Sequence, residues 1–438
     1  MKKLFVRILL LCFFTSATAL HAQQELGLNF MNQTWESSLT NPAMTTDKKL
    51  TVILPSVYFS VGSPDLTVRN LTIVQNGQNV FNLDSAASHF KAPTHFNANI
   101  SVQTLGIAFK AKNWTFSISN SLQADGATVI PKQLVQAIVQ GNSQFIGQTA
   151  SVGINLQAYA YSQIGFGAAC QVTDGLTIGA KVKYLSGLAG VFTPSSQVSI
   201  YTDTNVYALT FNNNYDVRTF SSNAFTALNN NPASFALQNL FSGNSGYSFD
   251  LGAKLKLGKL ELGASAIDLG GTINWKENAV SYKTIGTYTY TGTSTSSISQ
   301  FFNLSYLTNS SFKDTLKNVV NLIQGTDAYV SKLPTKIYLT AAYQLNDNTR
   351  LGALLYNESG NGNTYTDLAF SANYRILHFI TIGAVYSLRN NTFNNLGANL
   401  VLQLGPAQVY ALTDNILTAF SPYTSNSANA RIGANLMF

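Results

Sequence analysis

Residues 431–438 alternate between two kinds of side chain. Ile432, Ala434, Leu436 and Phe438 fall on one side, and Arg431, Gly433 and Asn435 fall on the other. Successive side chains of a strand point to opposite faces, so the pattern predicts a strand with one apolar face. The same period of two recurs along most of the chain. Phe249, Leu251, Ala253, Leu255 and Leu257 alternate with Asp250, Gly252, Lys254 and Lys256, up to a turn at Gly258-Lys259. Beyond it Leu260, Leu262, Ala264 and Ala266 alternate with Glu261, Gly263 and Ser265. Asp174-Gly175 is a strong two-residue turn signal. After it Leu176, Ile178, Ala180, Val182 and Tyr184 alternate with Thr177, Gly179, Lys181 and Lys183. Further turns are expected near Lys112-Asn113 and Asn346-Asp347-Asn348, and Ile380, Ile382, Ala384, Tyr386 and Leu388 mark a late strand.

Two architectures compete for this pattern. In a sandwich the apolar face points into a core. In a membrane barrel it points to lipid and the polar face lines the interior. The strands run to about 10 residues, enough to cross a bilayer at a tilt, whereas sandwich strands average about half that. Their polar faces carry Gly, Ser, Thr, Asn and Lys, groups suited to a lumen. The expected fold is all-β, an antiparallel transmembrane β-barrel of about 14 strands, with roughly 12 or 16 as the even-numbered alternatives. Phe438, ending the chain within its last strand, is the C-terminal signal read by the barrel assembly machinery.

Turn lengths divide into two classes. Short turns are expected near residues 112, 174, 258, 347 and 376, and long segments at 62–93, 124–149, 214–245, 276–334 and 414–429. Such barrels have short periplasmic turns and long outer loops, which puts the long segments outside the cell. Segments 205–245 and 281–310 are rich in Asn, Ser and Thr and read as solvated loops. Two loop stretches read as short helices. One opens at Pro131, carries Leu134, Val135, Ile138 and Val139, and closes at Gly141; the other carries Phe312, Leu316, Val319, Val320 and Ile323. Such helices cover the barrel mouth, contact lipopolysaccharide or fold back on their own loops.

Composition supports an exported barrel. Of 438 residues 45% are hydrophobic and only 10% charged, where a soluble domain carries about a quarter. The mean hydropathy of +0.07 is too low for a helical membrane protein, and beyond the N-terminus no apolar run reaches the ~18 residues of a spanning helix. The net charge is +7, but the basic residues are scattered, and no nucleic-acid stripe forms. Lys2, Lys3 and Arg7, an apolar run over residues 8–14 and small residues at Ala17, Ala19 and Ala22 form a secretory signal. Cleavage is expected before Gln23, with cleavage after Ala19 as the alternative. The signal therefore spans residues 1–22. Its removal leaves Cys170 as the one cysteine, so no internal disulfide forms. Cys12 follows Leu11, which does not suit a lipidation signal.

The mature chain opens Gln23-Gln24-Glu25-Leu26-Gly27-Leu28 and continues Asn32-Gln33-Thr34-Trp35-Glu36-Ser37-Ser38-Leu39-Thr40-Asn41-Pro42-Ala43. It resembles an uncharacterised family of Bacteroidota outer-membrane barrels, itself similar to the FadL long-chain fatty-acid transporters. Asn41-Pro42-Ala43 matches a segment of the FadL-like hatch. Lys181-Val182-Lys183-Tyr184-Leu185-Ser186-Gly187, Asp250-Leu251-Gly252-Ala253, Ala266-Ile267-Asp268-Leu269-Gly270, Ile273-Asn274-Trp275, Asp414-Asn415-Ile416 and Arg431-Ile432-Gly433 look like further stretches of that family. The resemblance implies that residues 23–49 fold inside as a plug, that residues 50–438 form the barrel, and that a small hydrophobic ligand binds near the outer loops. It also implies a location in the outer membrane, in contact with its lipid. The same scaffold serves type IX secretion as a surface shuttle, so a scaffold recruiting a surface protein partner is the alternative function.

Catalysis finds little footing. Ser265 lies within Gly263-Ala264-Ser265-Ala266-Ile267, which lacks the closing Gly of a nucleophile elbow. Gly165-Phe166-Gly167-Ala168-Ala169-Cys170 lacks the last Gly of a dinucleotide fingerprint. His21, His89, His95 and His378 have no zinc-ligand spacing. A His and a Ser meeting across strands stays open as an alternative, and no cofactor is expected. Lys181, Lys183, Asp250, Lys254, Lys256 and Glu261 are the expected lumen-facing charges. The lysines and Asp47 either pair with the plug or stand as hydrated interior charges. Asp250 and Glu261 are expected to neutralise Lys254 or Lys256.

Overall fold

A computed structural model describes residues 25–223, 225, 241–290, 322–360, 363–389 and 392–438. The expected signal, residues 1–22, lies outside them. Fourteen strands form the wall. In chain order they are β1 (Leu50–Gly62), β2 (Thr94–Ala111), β3 (Trp114–Ile130), β4 (Asn155–Gln171), β5 (Leu176–Thr202), β6 (Ser245–Leu257) and β7 (Leu260–Leu269). They continue as β8 (Thr335–Gln344), β9 (Thr349–Gly360), β10 (Asn363–Leu377), β11 (Ile380–Arg389), β12 (Thr392–Leu404), β13 (Ala407–Thr413) and β14 (Ser427–Met437). Each strand pairs antiparallel with the next. β14 then pairs back with β1, from Thr51↔Met437 to Gly62↔Ser427, so the fourteen-strand wall closes on itself. Phe438 is exposed, and its backbone exchanges hydrogen bonds with Leu50 of 3.2 and 2.8 Å.

The alternation in the sequence becomes an inside and an outside. Ile432 is 61% exposed while its neighbours Arg431 and Gly433 are buried. Phe59, Ile107, Ile178, Leu339 and Phe370 are likewise exposed apolar side chains on wall strands. An apolar band around a closed barrel is a lipid-facing surface. No helix among the described residues is long and apolar enough to cross a membrane.

All the tight turns near residues 112, 174, 258, 347, 378 and 405 lie at one end. The first four match expectation. The fifth falls slightly later than residue 376 because β10 runs to Leu377, and the Gly405 turn (φ 61°) was not expected. The other end holds the long connections. Residues 63–93 contain a hairpin, Thr72–Gln75 with Gln78–Phe81, turning on Asn76-Gly77 at φ 53° and 78°. They also contain helix α1 (Leu83–His89), whose first turn is capped by Asn82 accepting the Ser85 N–H at 2.8 Å. Helix α2 (Lys132–Gln140) stands where its stripe predicted, with Pro131 one position earlier than expected, as the cap, and Gly141 at φ 80° ending it.

Two expectations for the loops need correction. Segments 205–245 and 281–310 are not simply solvated loops: Leu209–Ser221 and Val280–Tyr290 are strands that pair with each other, the first also pairing with the far part of β5. β5 runs well past its neighbours and offers its edge, and that pairing overrides the weak strand preference of Asn and Ser. Of the second expected helix, Phe312, Leu316, Val319 and Val320 lie outside the described residues, and Ile323 begins a short strand, Ile323–Gly325.

Candidate functional site

Residues 25–46 lie inside the barrel, chiefly in its short-turn half. Two short 3-10 helices, Leu26–Phe30 and Trp35–Leu39, present apolar side chains to the inward face of the wall. Leu26 and Phe30 pack with Tyr338, Leu354, Tyr356 and Val385; Leu28 and Met31 pack with Val401, Tyr410 and Leu412; Trp35 packs with Ile53 and Ala108. Polar groups meet the wall on many sides. Asp414 accepts the N–H groups of Leu26 and Gly27 at 3.1 and 2.8 Å, and Arg389 lies 3.3 Å from the same carboxylate. Arg431 pairs with Glu25, Asn435 donates to Glu36 at 2.9 Å, and Gln408 donates to the Gln33 carbonyl at 3.1 Å.

Asn41, Pro42 and Ala43 are all buried against β5 and β6. Asn41 folds its side chain onto the Ala43 N–H at 2.9 Å and donates to the Ala253 carbonyl at 3.1 Å. Gly179 and Gly252 make room for this turn: a Cβ at Gly179 would collide with the Pro42 backbone, and one at Gly252 with the Asn41 side chain.

The charged residues divide by depth. Lys181 and Lys183 are buried rather than hydrated: Trp35 and Ser38 cover Lys181, and Asp250 and Asp268 hold Lys183. Lys181 Nζ donates to the Ser38 carbonyl at 3.4 Å and lies 5.9 Å from the centre of the Trp35 ring. Lys183 stands between Asp250 at 2.7 Å and Asp268 at 2.8 Å, and Lys336 reaches the other Asp268 oxygen at 3.4 Å. The expected neutralisation within the β6–β7 hairpin is not what forms. Asp250 turns to Lys183, and Glu261, although directly across from Lys256, pairs with Arg350 at 2.7 Å. Lys254 is half-buried and Lys256 exposed, both nearer the short turns. Asp47 is exposed and pairs with Lys110 at 3.6 Å, not with a lumen lysine. Ser265 donates to the Thr40 carbonyl at 2.5 Å, a positioning contact.

Above this charged layer, towards the long loops, a cavity of ≈ 1480 Å³ opens. Asp125, Asp268, Lys336 and Glu358 line it together with Tyr159 and Tyr161, and none of residues 25–46 does. A second cavity of ≈ 550 Å³ lies against the outer face of the wall at the same end. Its lining includes Val61, Leu66, Leu71, Phe96, Leu156 and Pro422. Asn97 and Ser101 on β2 are buried and point inward, so Ala98 between them points outward. Ala98 pairs with Gly126, and Gly126 with Ala158. A Cβ at Gly126 would come no nearer than 3.9 Å to any other atom. The wall between the outer groove and the interior cavity is thin here, and Asn97, Ala98, Gly126, Ala127 and Leu156 line both.

Asp268, Lys336, Asp414 and Arg389 were not among the charges expected to matter, although Asp268 and Asp414 sit in stretches that carry the family resemblance. The wall also contains irregularities that sequence reading missed. The β1–β14 register shifts between Ile53 and Ser56, around Pro55, and the β2–β3 register shifts at Thr104. Pro55 has no N–H to give the ladder, and proline in a strand signals a bulge or an edge.

A family model described as a family of unknown function, DUF5723, matches residues 42–414. No curated protein matches the sequence. Among solved structures the chain is similar to the Pseudomonas putida toluene transporter TodX at 11% identity, covering 92% of this chain and 94% of that one with a TM-score of 0.47. It is similar to the Ralstonia pickettii toluene transporter TbuX at 11% identity, covering 92% and 93% with a TM-score of 0.45. It is also similar to a Pseudomonas aeruginosa FadL homologue at 12% identity, covering 93% and 94% with a TM-score of 0.45.

Proposed function

We propose that this chain, which belongs to the DUF5723 family of unknown function, is a FadL-like outer-membrane barrel that binds and passes a small hydrophobic molecule. The observation that carries the reading is the apolar groove of ≈ 550 Å³, whose lining residues Ala98, Gly126 and Ala127 also line the interior cavity. Small-molecule sites are typically apolar clefts of about 300–1,000 Å³. This one sits at the loop end, next to a larger interior space. In this reading residues 1–22 direct export, residues 23–49 act as the plug, and Phe438 serves assembly. Residues 291–321 of the long segment 276–334 lie outside the described residues, and nothing among the described residues favours a scaffold role.

Gly126→Trp tests the proposal. The indole would enter the open groove, and the variant should retain the heat-modifiable gel mobility of a folded barrel. Uptake of a hydrophobic fluorescent probe by cells carrying the variant should fall several-fold. Undiminished uptake would remove the groove from the path.

A further inference from the structure

We propose that the interior cavity receives the head of an uncharged amphiphile, one bearing hydroxyl or carbonyl groups, and discriminates against a carboxylate head. The inference rests on the uptake reading above and names the ligand class for the adjoining interior space.

The first argument is charge. Asp125, Asp268 and Glu358 line the cavity. The cations lining it, among the described residues, are Lys336 and Lys132. Lys336 is already 3.4 Å from Asp268, and Lys132 Nζ turns away to the Ser88 carbonyl at 3.4 Å. Lys183, the next cation below, is held between Asp250 and Asp268. An incoming carboxylate would lose water and meet further acids, with every nearby ammonium already engaged. Burying a charge without a partner is strongly unfavourable, and like charges oppose one another's ionised forms.

The second argument is hydrogen bonding, and it is independent of the first. Asn97 and Asn213 line the same cavity and are only 6% and 8% exposed. The Nδ2 of each has no hydrogen-bond partner among the described residues. Buried amide donors without partners are costly, so they suit a ligand that brings an acceptor. The carboxylates supply the complementary acceptors. A hydroxyl both accepts from an amide and donates to a carboxylate, which an ionised carboxylate head cannot do. Tyr159, Tyr161 and Tyr329 add ring surface for the apolar part of the molecule.

The test compares 1-octanol with octanoate, which share chain length and differ in the head. Binding to the full barrel in lipid nanodiscs is measured by calorimetry at neutral pH, with empty nanodiscs subtracted. Octanol should bind roughly tenfold tighter or better, a difference of one decade in Kd. Asp125→Asn and Glu358→Gln keep the shape and one acceptor oxygen each, and each should narrow that gap. Octanoate binding as tightly as octanol to the unaltered barrel overturns the inference, and that comparison needs no variant to fold. A gap unchanged in both folded variants overturns it as well. If neither ligand binds while Gly126→Trp still slows uptake, this inference fails and the uptake reading stands. If neither binds and Gly126→Trp has no effect, both fail.

Discussion

The first turn of the internal segment depends on one carboxylate. Asp414 is 2% exposed and receives the N–H groups of Leu26 and Gly27 at 3.1 and 2.8 Å. These donors belong to the start of a 3-10 helix, where backbone N–H groups have no partner within the helix. Asp414→Ala leaves both unsatisfied. Each orphaned buried donor costs about 1–3 kcal/mol, so the two together imply a local loss of about 2–6 kcal/mol, at least roughly a 30-fold fall in protection. Arg389 also loses its partner at 3.3 Å but keeps Asp367 at 4.0 Å, and within the internal segment the loss should stay local. Trp35 remains packed on Ile53 and Ala108, and Asn41 keeps its bond to Ala253. Hydrogen exchange read by mass spectrometry on the barrel in detergent checks this. Peptides covering residues 25–30 should exchange much faster in the variant, and those covering residues 35–43 should not. Asp414→Asn, which keeps one acceptor oxygen, should fall between. Unchanged exchange at residues 25–30 in a variant that still migrates as a folded barrel would refute the reasoning.

Two further outcomes follow from the charged groups. Asp250→Ala removes the partner 2.7 Å from a buried Lys183, and breaking a buried pair on one side costs about 3–5 kcal/mol; a lower urea midpoint for the loss of heat-modifiable mobility checks this, and an unchanged midpoint would mean that Asp268 alone satisfies the ammonium. Outside the wall, Asp327 is held below the ordinary carboxylate range by the Ser281 hydroxyl at 2.6 Å and by the Lys283 ammonium at 2.9 Å. A depressed folded value means that its contribution is fully present above the unfolded value of about 4 and disappears as the pH falls through the lower folded value. Proteolytic nicking of residues 322–332 should therefore stay constant from neutral pH down to about 4 and rise below it, and Asp327→Asn should abolish that rise.

What the sequence made legible was local. Period-two alternation separates Ile432 from Arg431 whatever the rest of the chain does, because successive side chains of any strand take opposite faces. The same logic marked Lys183 and Asp250 as inward-facing. It did not reveal that they meet, or that Asp268 joins them, because that depends on how β5, β6 and β7 are staggered across the sheet. Nor did alternation distinguish a hydrated lysine from a buried one. Lys181 is buried because Trp35 and Ser38 arrive from residues far away in sequence. Other misses were readable. Asn76-Gly77 is a hairpin signal as strong as Asp174-Gly175, and Pro55 within an alternating strand announces a bulge.

Side-chain burial also bears on how the proposed ligand couples to the protein. Leu26, Leu28, Phe30, Met31 and Trp35 are each no more than 6% exposed. At about 1.5–3 kcal/mol per buried side chain, their withdrawal forfeits on the order of 8–15 kcal/mol before any polar contact is counted. A ligand shifts such an equilibrium only by binding one state better than the other. None of residues 25–46 lines the interior cavity or the outer groove, so a ligand in either space makes no contact that distinguishes a docked segment from a released one. The wall is different. Asn97, Ala98, Gly126, Ala127 and Leu156 border both spaces, and a ligand moving between them touches these residues throughout. Differential binding energy is therefore available at β2, β3 and β4 and is absent at the internal segment. In the proposed transport, substitutions along that wall should alter ligand handling more than substitutions that loosen the first turn at Leu26.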